Sequence, residues 1–199
     1  MRTTALLLTL GLSLVAQTPA AKPAAAPAPK PAAEPTAEPT VGAALDGTFQ
    51  WVPGQFIPAA EAMPEDKYDW APTQGEFKGV KTFAQQVKHV AAINYFLGAA
   101  ILGEKSPVEV GNPEMGPDNL KTKAEIMAFL KGSFEYASKA IKSITPQNGT
   151  KPVKNPFGEG NLTRLGLSTL LAFHGMDHYG QMAVYLRANG IIPPASRKK

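Results

Sequence analysis

The 199-residue sequence contains no cysteine. That excludes disulfides, thiolate nucleophiles, thiolate metal ligands and a lipid-anchored cysteine, so any metal must be held through nitrogen and oxygen. Histidine is scarce too, with three in the chain: His89, His174 and His178. Lys and Arg exceed Asp and Glu by 20 to 16, a formal charge of +4, without gathering into a basic block. The terminal run Arg197-Lys198-Lys199 reads as a solvated tail, and nucleic acid is not indicated as a partner. The apolar run from Ala5 to Val15 is too short to span a bilayer, which takes roughly 20 residues. No segment alternates with period two long enough to predict a strand, so the pattern points to an all-α chain.

Met1-Arg2 ahead of that apolar run, with small residues from Ala16 to Ala20 behind it, has the order of a secretory signal over residues 1–20. It predicts a secreted or periplasmic protein with no integral membrane segment after cleavage. Residues 21–41 follow as a Pro/Ala-rich linker. Seven of the 19 prolines fall between Pro19 and Pro39, with too little apolar bulk to offset the entropy of ordering. Residues 42–199 form the third segment, a single domain.

Four helical stretches are legible within it. Leu45, Phe49, Val52, Phe56, Ala59 and Met63 recur at spacings of four and three, with Pro53 and Pro58 inside the stripe predicting a kink or a late start. Tyr68 and Trp70 are placed to fold back over the end of the bundle. Thr82 with Gln85 forms a capping box ahead of a helix running to about Leu102, on which His89, Ile93, Phe96 and Ala100 share one face. Gly103 to Leu120 reads as a long crossover loop. Thr122 with Glu125 repeats the capping signal for a third helix, carrying Ile126, Leu130, Phe134, Ala137, Ile141 and Ile144 to about Ser143. After a second loop, Thr163 caps a fourth helix with an inward stripe of Leu167, Leu171, His174, His178, Met182 and Tyr185. Asn189-Gly190 closes it in a left-handed cap. The expected architecture is a four-helix bundle with long crossover loops around one core.

His174 and His178 stand one helical turn apart, so both imidazoles can reach one ion, and His89 on another helix can supply a third nitrogen. A lone histidine on an apolar face is more often a satisfied core residue. Three on inward stripes would leave several polar groups unsatisfied unless something binds them, and one divalent cation satisfies all three. Free imidazoles take up protons below about pH 6.5, so metal binding is expected to weaken there. In the protease pattern H-E-x-x-H a glutamate follows the first histidine. Here that position is Gly175, which disfavours protease chemistry. Asp177 should project away from the pair as an outer carboxylate, and Gln181 is placed to orient a bound water or substrate.

The run from Phe83 through His89 to Tyr95, together with His174-x-x-x-His178-Tyr-Gly-Gln181, resembles the DinB superfamily of metal-binding four-helix bundles. The resemblance covers roughly Ala43 to Ser196, and the ending Tyr185 to Ser196 is similar to that of exported members. It implies a divalent metal, zinc or nickel most often, held by His89, His174 and His178. Superfamily members with assigned activities include thiol-dependent transferases and isomerases. This chain differs in carrying an export signal, and reduced low-mass thiols are scarce outside the cell.

The leading expectation is an exported metal-binding bundle with an open coordination position, acting as a hydrolase or transferase on a small-molecule substrate. A non-enzymatic metal-binding or interaction domain is the alternative, and a metal-free bundle with satisfied core histidines is the third. No catalytic residue can be named from the sequence, and the oligomeric state stays open, a homodimer included.

Overall fold

The computed structural model describes residues 38–198; the signal segment and most of the linker expectation lie outside them. The first helical stripe is carried by two short helices, α1 (Val41–Phe49) and α2 (Trp51–Ala62). Thr40 caps α1, its Oγ1 accepting a hydrogen bond from Ala43 N at 3.2 Å. The break falls at Gln50 because Pro53 has no N–H to offer the Phe49 carbonyl and its ring crowds that oxygen. The flanking bonds survive, Gln50 N to Asp46 O at 2.8 Å and Gly54 N to Gln50 O at 3.2 Å. Phe49, Val52, Phe56, Ala59 and Met63 are buried on both sides of the break, so one stripe serves one core.

Helices α3 (Phe83–Leu102) and α4 (Lys123–Lys142) both begin in complete capping boxes, Thr82 with Gln85 and Thr122 with Glu125. An N-cap of this kind contributes about 1 kcal/mol. Helix α5 (Arg164–Ala188) starts at Thr163, whose hydroxyl accepts from Gly166 N at 3.0 Å, and stops at Gly190, where φ is +73°. Just before α5, Pro152–Lys154 (β1) and Asn161–Thr163 (β2) pair antiparallel, with Val153 opposite Leu162. Three residues hold less than two periods of alternation, so the hydropathy pattern shows no strand there.

Helix α3 packs between α4 and α5, while α2 lies on α5 and α4 and α1 on α4, which closes the bundle. Phe134 of α4 sits against Phe49 and Phe56, ring centroids 5.9 Å from each. Full burial of such a side chain contributes roughly 1.5–3 kcal/mol. At the bundle end Tyr68 stacks edge-on to Phe83 and Trp70 to Tyr185, as the sequence predicts. Lys123 secures the same end, its Nζ donating to the carbonyls of Glu61 and Met63 at 2.8 and 2.7 Å. Helix α5 approaches α2 closely at Gly175, where a Cβ would fall well inside van der Waals contact distance of Val52 Cγ1. No helix among the described residues is long and apolar enough to cross a membrane.

Candidate metal centre

His89 is buried near the start of α3, and the loop after α3 folds back over it. Lys88 anchors that loop by donating from Nζ to Pro117 O at 3.0 Å. A tight turn links Asn112 to Gly116, with Gly116 N on Asn112 O at 2.7 Å. Gly116 is required twice: its φ is +71°, and a Cβ there would stand 2.5 Å from Lys88 Cβ. The turn sets the Pro113 carbonyl 2.7 Å from His89 Nδ1. A carbonyl only accepts, so the His89 proton sits on Nδ1 and its lone pair on Nε2.

His178, 9% exposed on α5, has a comparable partner. Its Nδ1 lies 2.5 Å from Gln86 Oε1, one turn before His89 on α3. Gln86 Nε2 in turn donates to Gln181 Oε1 at 2.9 Å, and Gln181 Nε2 donates to Asp177 Oδ2 at 3.0 Å. Asp177 is therefore an outer carboxylate, as the sequence suggests. Gln181 is corrected: its amide is engaged by Gln86 and Asp177 and does not line the histidine pocket. Gln86 is a site residue that the sequence reading missed.

His174 completes the group, with Nε2 3.0 Å from His89 Nε2. The three ring centroids are 4.6 to 5.0 Å apart, and one ligand nitrogen from each ring lies within 4.8 Å of the others. A tetrahedral ion with metal–nitrogen bonds near 2.0–2.1 Å spaces its ligand nitrogens about 3.3 Å apart, close to the 3.0 Å separation. A direct N–H···N bond fits that distance as well, but it pairs only two of the three inward nitrogens. His174 Nδ1 is buried with no hydrogen-bond partner among the described residues. The donor set thus fits a divalent cation bound by three neutral imidazoles.

Burial pushes His174 down to about 3, with the imidazoles of His178 and His89 adding to the shift. Burial likewise pushes His178 down to about 4, reinforced by His89 and Lys81. His89 is also lowered by burial, against the opposing hydrogen bond to Pro113. All three rings are neutral at pH 7, the state in which a lone pair is available. Proton competition for the site accordingly begins below the pH 6.5 expected of free imidazoles.

A pocket of about 340 Å³ opens beside the histidines, lined by them and by Lys81, Ile93, Glu114, Phe157 and Leu170. Lys81 and Glu114 form an ion pair at 3.2 Å, and that hydrogen bond holds the Glu114 carboxyl below its ordinary range. Glu114 is the one carboxylate lining this pocket among the described residues. Neither residue carries a sequence signal, since both arrive on connections whose paths periodicity does not encode. A larger, mostly apolar pocket of about 570 Å³ lies elsewhere, between the end of α3 and β1, and contains no histidine.

Helices around one core, with three neutral imidazoles converging between α3 and α5, define a histidine-lined helical bundle. A sequence model of the DinB superfamily matches residues 48–182, and the chain belongs to that superfamily. Among solved structures, a DinB-like protein from Bacillus subtilis is 18% identical with a TM-score of 0.57, covering 78% of this chain and 99% of its own. A DinB-like protein from Bacillus cereus is 12% identical with a TM-score of 0.59, covering 75% and 93%. At these identities the likeness establishes the fold. No functionally curated protein matches the chain.

Proposed function

We propose that this is an exported metalloprotein in which His89, His174 and His178 hold one divalent ion, zinc or nickel, with a coordination position open to the adjoining pocket. The observation that carries the reading is the hydrogen bonding behind the rings. Pro113 O and Gln86 Oε1 each accept a hydrogen bond from Nδ1–H, which leaves the lone pairs of His89 and His178 on Nε2. A divalent ion there would supply Lewis acidity and lower the pKa of a bound water toward 7, as hydrolysis or group transfer requires. Lys81 presents an ammonium group to an anionic or carbonyl oxygen of a small-molecule substrate. Glu114, kept ionised by Lys81, can take a proton at its carboxylate from a nucleophile in the pocket. Phe157, Ile93 and Leu170 give the pocket its apolar lining.

Export rests on the order of charge, apolar run and small residues in positions 1–20. N-terminal sequencing from the native host should find the mature chain beginning between Ala16 and Ala20. Elemental analysis of purified protein should give one zinc or nickel per chain. Cobalt loaded in its place should show visible bands that shift when acetohydroxamate is added, since that chelator needs an open position. Purified protein without metal, whose melting temperature is unmoved by zinc or nickel at neutral pH, would overturn the reading.

A further inference from the structure

The hydrogen bonds running from Asp177 through Gln181 and Gln86 to His178 have a direction, and the chemistry of their far end sets it. An ionised carboxylate only accepts, so the Gln181 amide nitrogen must face Asp177. Its oxygen then faces Gln86 and can only be met by the Gln86 nitrogen, at 2.9 Å. That turns Gln86 Oε1 toward His178, where the sole compatible partner is a protonated Nδ1. Gln86 is 2% exposed and holds the inner end, whereas Asp177 and Gln181 are exposed at the outer end. A surface charge on α5 is thereby coupled to the tautomer of a buried ring.

We propose that Gln86 is a positioning residue, and that Asp177, acting through Gln181, orients the relay that keeps the His178 proton on Nδ1 and its lone pair on Nε2. The proposal rests on the metal reading only for its consequence, that the ion meets a ring turned and deprotonated to receive it. A lysine at position 177 donates only, so Asp177→Lys favours the reversed relay, against the contact of Gln86 with the Tyr185 hydroxyl. Gln181 turns its oxygen outward, Gln86 is driven to offer its nitrogen to Nδ1, and the His178 proton moves to Nε2 where the ion should bind. Asp177→Asn can donate or accept and loosens the direction without reversing it. Gln86→Glu still accepts from Nδ1–H, while Gln86→Leu leaves that proton without an acceptor.

The test is long-range proton–nitrogen NMR of histidine tautomers in the metal-free full chain, paired with zinc affinity measured by chelator competition. Wild type should show His178 protonated on Nδ1. Asp177→Lys and Gln86→Leu should move the proton to Nε2 and weaken zinc binding about 10–100-fold, the usual cost of losing an outer partner. Gln86→Glu should keep the wild-type tautomer and most of the affinity. A merely structural role for Gln86 would lower the melting temperature and leave the tautomer alone. If Gln86→Leu fails to fold, Asp177→Lys, an exposed substitution, still decides the matter. Nε2 protonation in wild type, or an unmoved tautomer in Asp177→Lys, overturns the relay. A moved tautomer with unchanged zinc affinity overturns its role at the metal. If wild type binds neither zinc nor nickel, the metal reading falls, and the tautomer spectra still judge the relay.

Discussion

The bundle buries two polar clusters, and they solve the problem of burial in opposite ways. Between α1 and α4, Asp46 is 6% exposed and surrounded by donors. Ser138 Oγ donates at 2.6 Å, Gln50 Nε2 at 2.9 Å, and Lys142 Nζ pairs at 3.1 Å. Burial raises the Asp46 carboxyl, but these bonds and the Lys142 charge outweigh it and hold the group below its ordinary range. Between α3 and α5, three bases meet with no acid among them, and two of them, His89 and His178, have their donors turned outward. The first cluster is complete as protein alone, while the second leaves nitrogen lone pairs that could hold a cation. Burial by itself therefore does not distinguish a structural polar group from a functional one. The sign of what remains unpaired does.

The contrast breaks most sharply on substitution. His89→Ala, His174→Ala or His178→Ala should each abolish stoichiometric metal by elemental analysis, and His174→Ala, whose Nδ1 has no partner to strand, should leave the chelated protein's thermal midpoint close to wild type in calorimetry. Asp46→Ala should do the reverse. It should retain metal but lose about 2 kcal/mol, the cost of leaving Ser138 and Gln50 without their acceptor. For a domain of this size that is a drop of roughly 4–8 °C in calorimetry.

Acid separates the clusters next. The histidines titrate lower folded than unfolded, so the unfolded chain binds more protons below about pH 6.5. Stability of the metal-free protein should fall from there toward pH 4 and 3. Asp46, also lowered, contributes fully above the unfolded carboxylate value of about 3.9, and its contribution is lost only as pH falls through its folded value. Urea midpoints against pH should thus decline in two stages, and His174→Ala should flatten the first alone. The smallest effect is a control touching neither cluster. Thr40→Ala should cost about 1 kcal/mol of capping with metal content unchanged, checked by denaturation and elemental analysis.

Local signals made most of the fold legible. Each capping box marks a helix start because its chemistry lies within four residues of chain, and the α3, α4 and α5 stripes follow from one period. The three histidines were legible for the same reason, as members of those stripes. Gln86 had a usable signal that went unread: it stands three residues before His89 and so shares its face. Asp46 had one as well, on the inward face of α1 with Gly42 and Phe49. Pro113 and Glu114 had none, because a loop's route is set by tertiary contacts such as Lys88 on Pro117. Hairpin residues 152–163 are likewise held by their neighbours, with Phe157 resting edge-on against Phe96.

The close approach of α5 to α2 at Gly175 bears on redesign. A glutamate introduced there, to follow His174 as in a zinc protease, has its side-chain volume already occupied by Val52. Gly175→Glu alone would force the helices apart at the turn that spaces His174 from His178, disturbing the ligands it was meant to assist. An engineer who wants a general base here has to cut back Val52 first, or work from Glu114, whose carboxylate already lines the pocket.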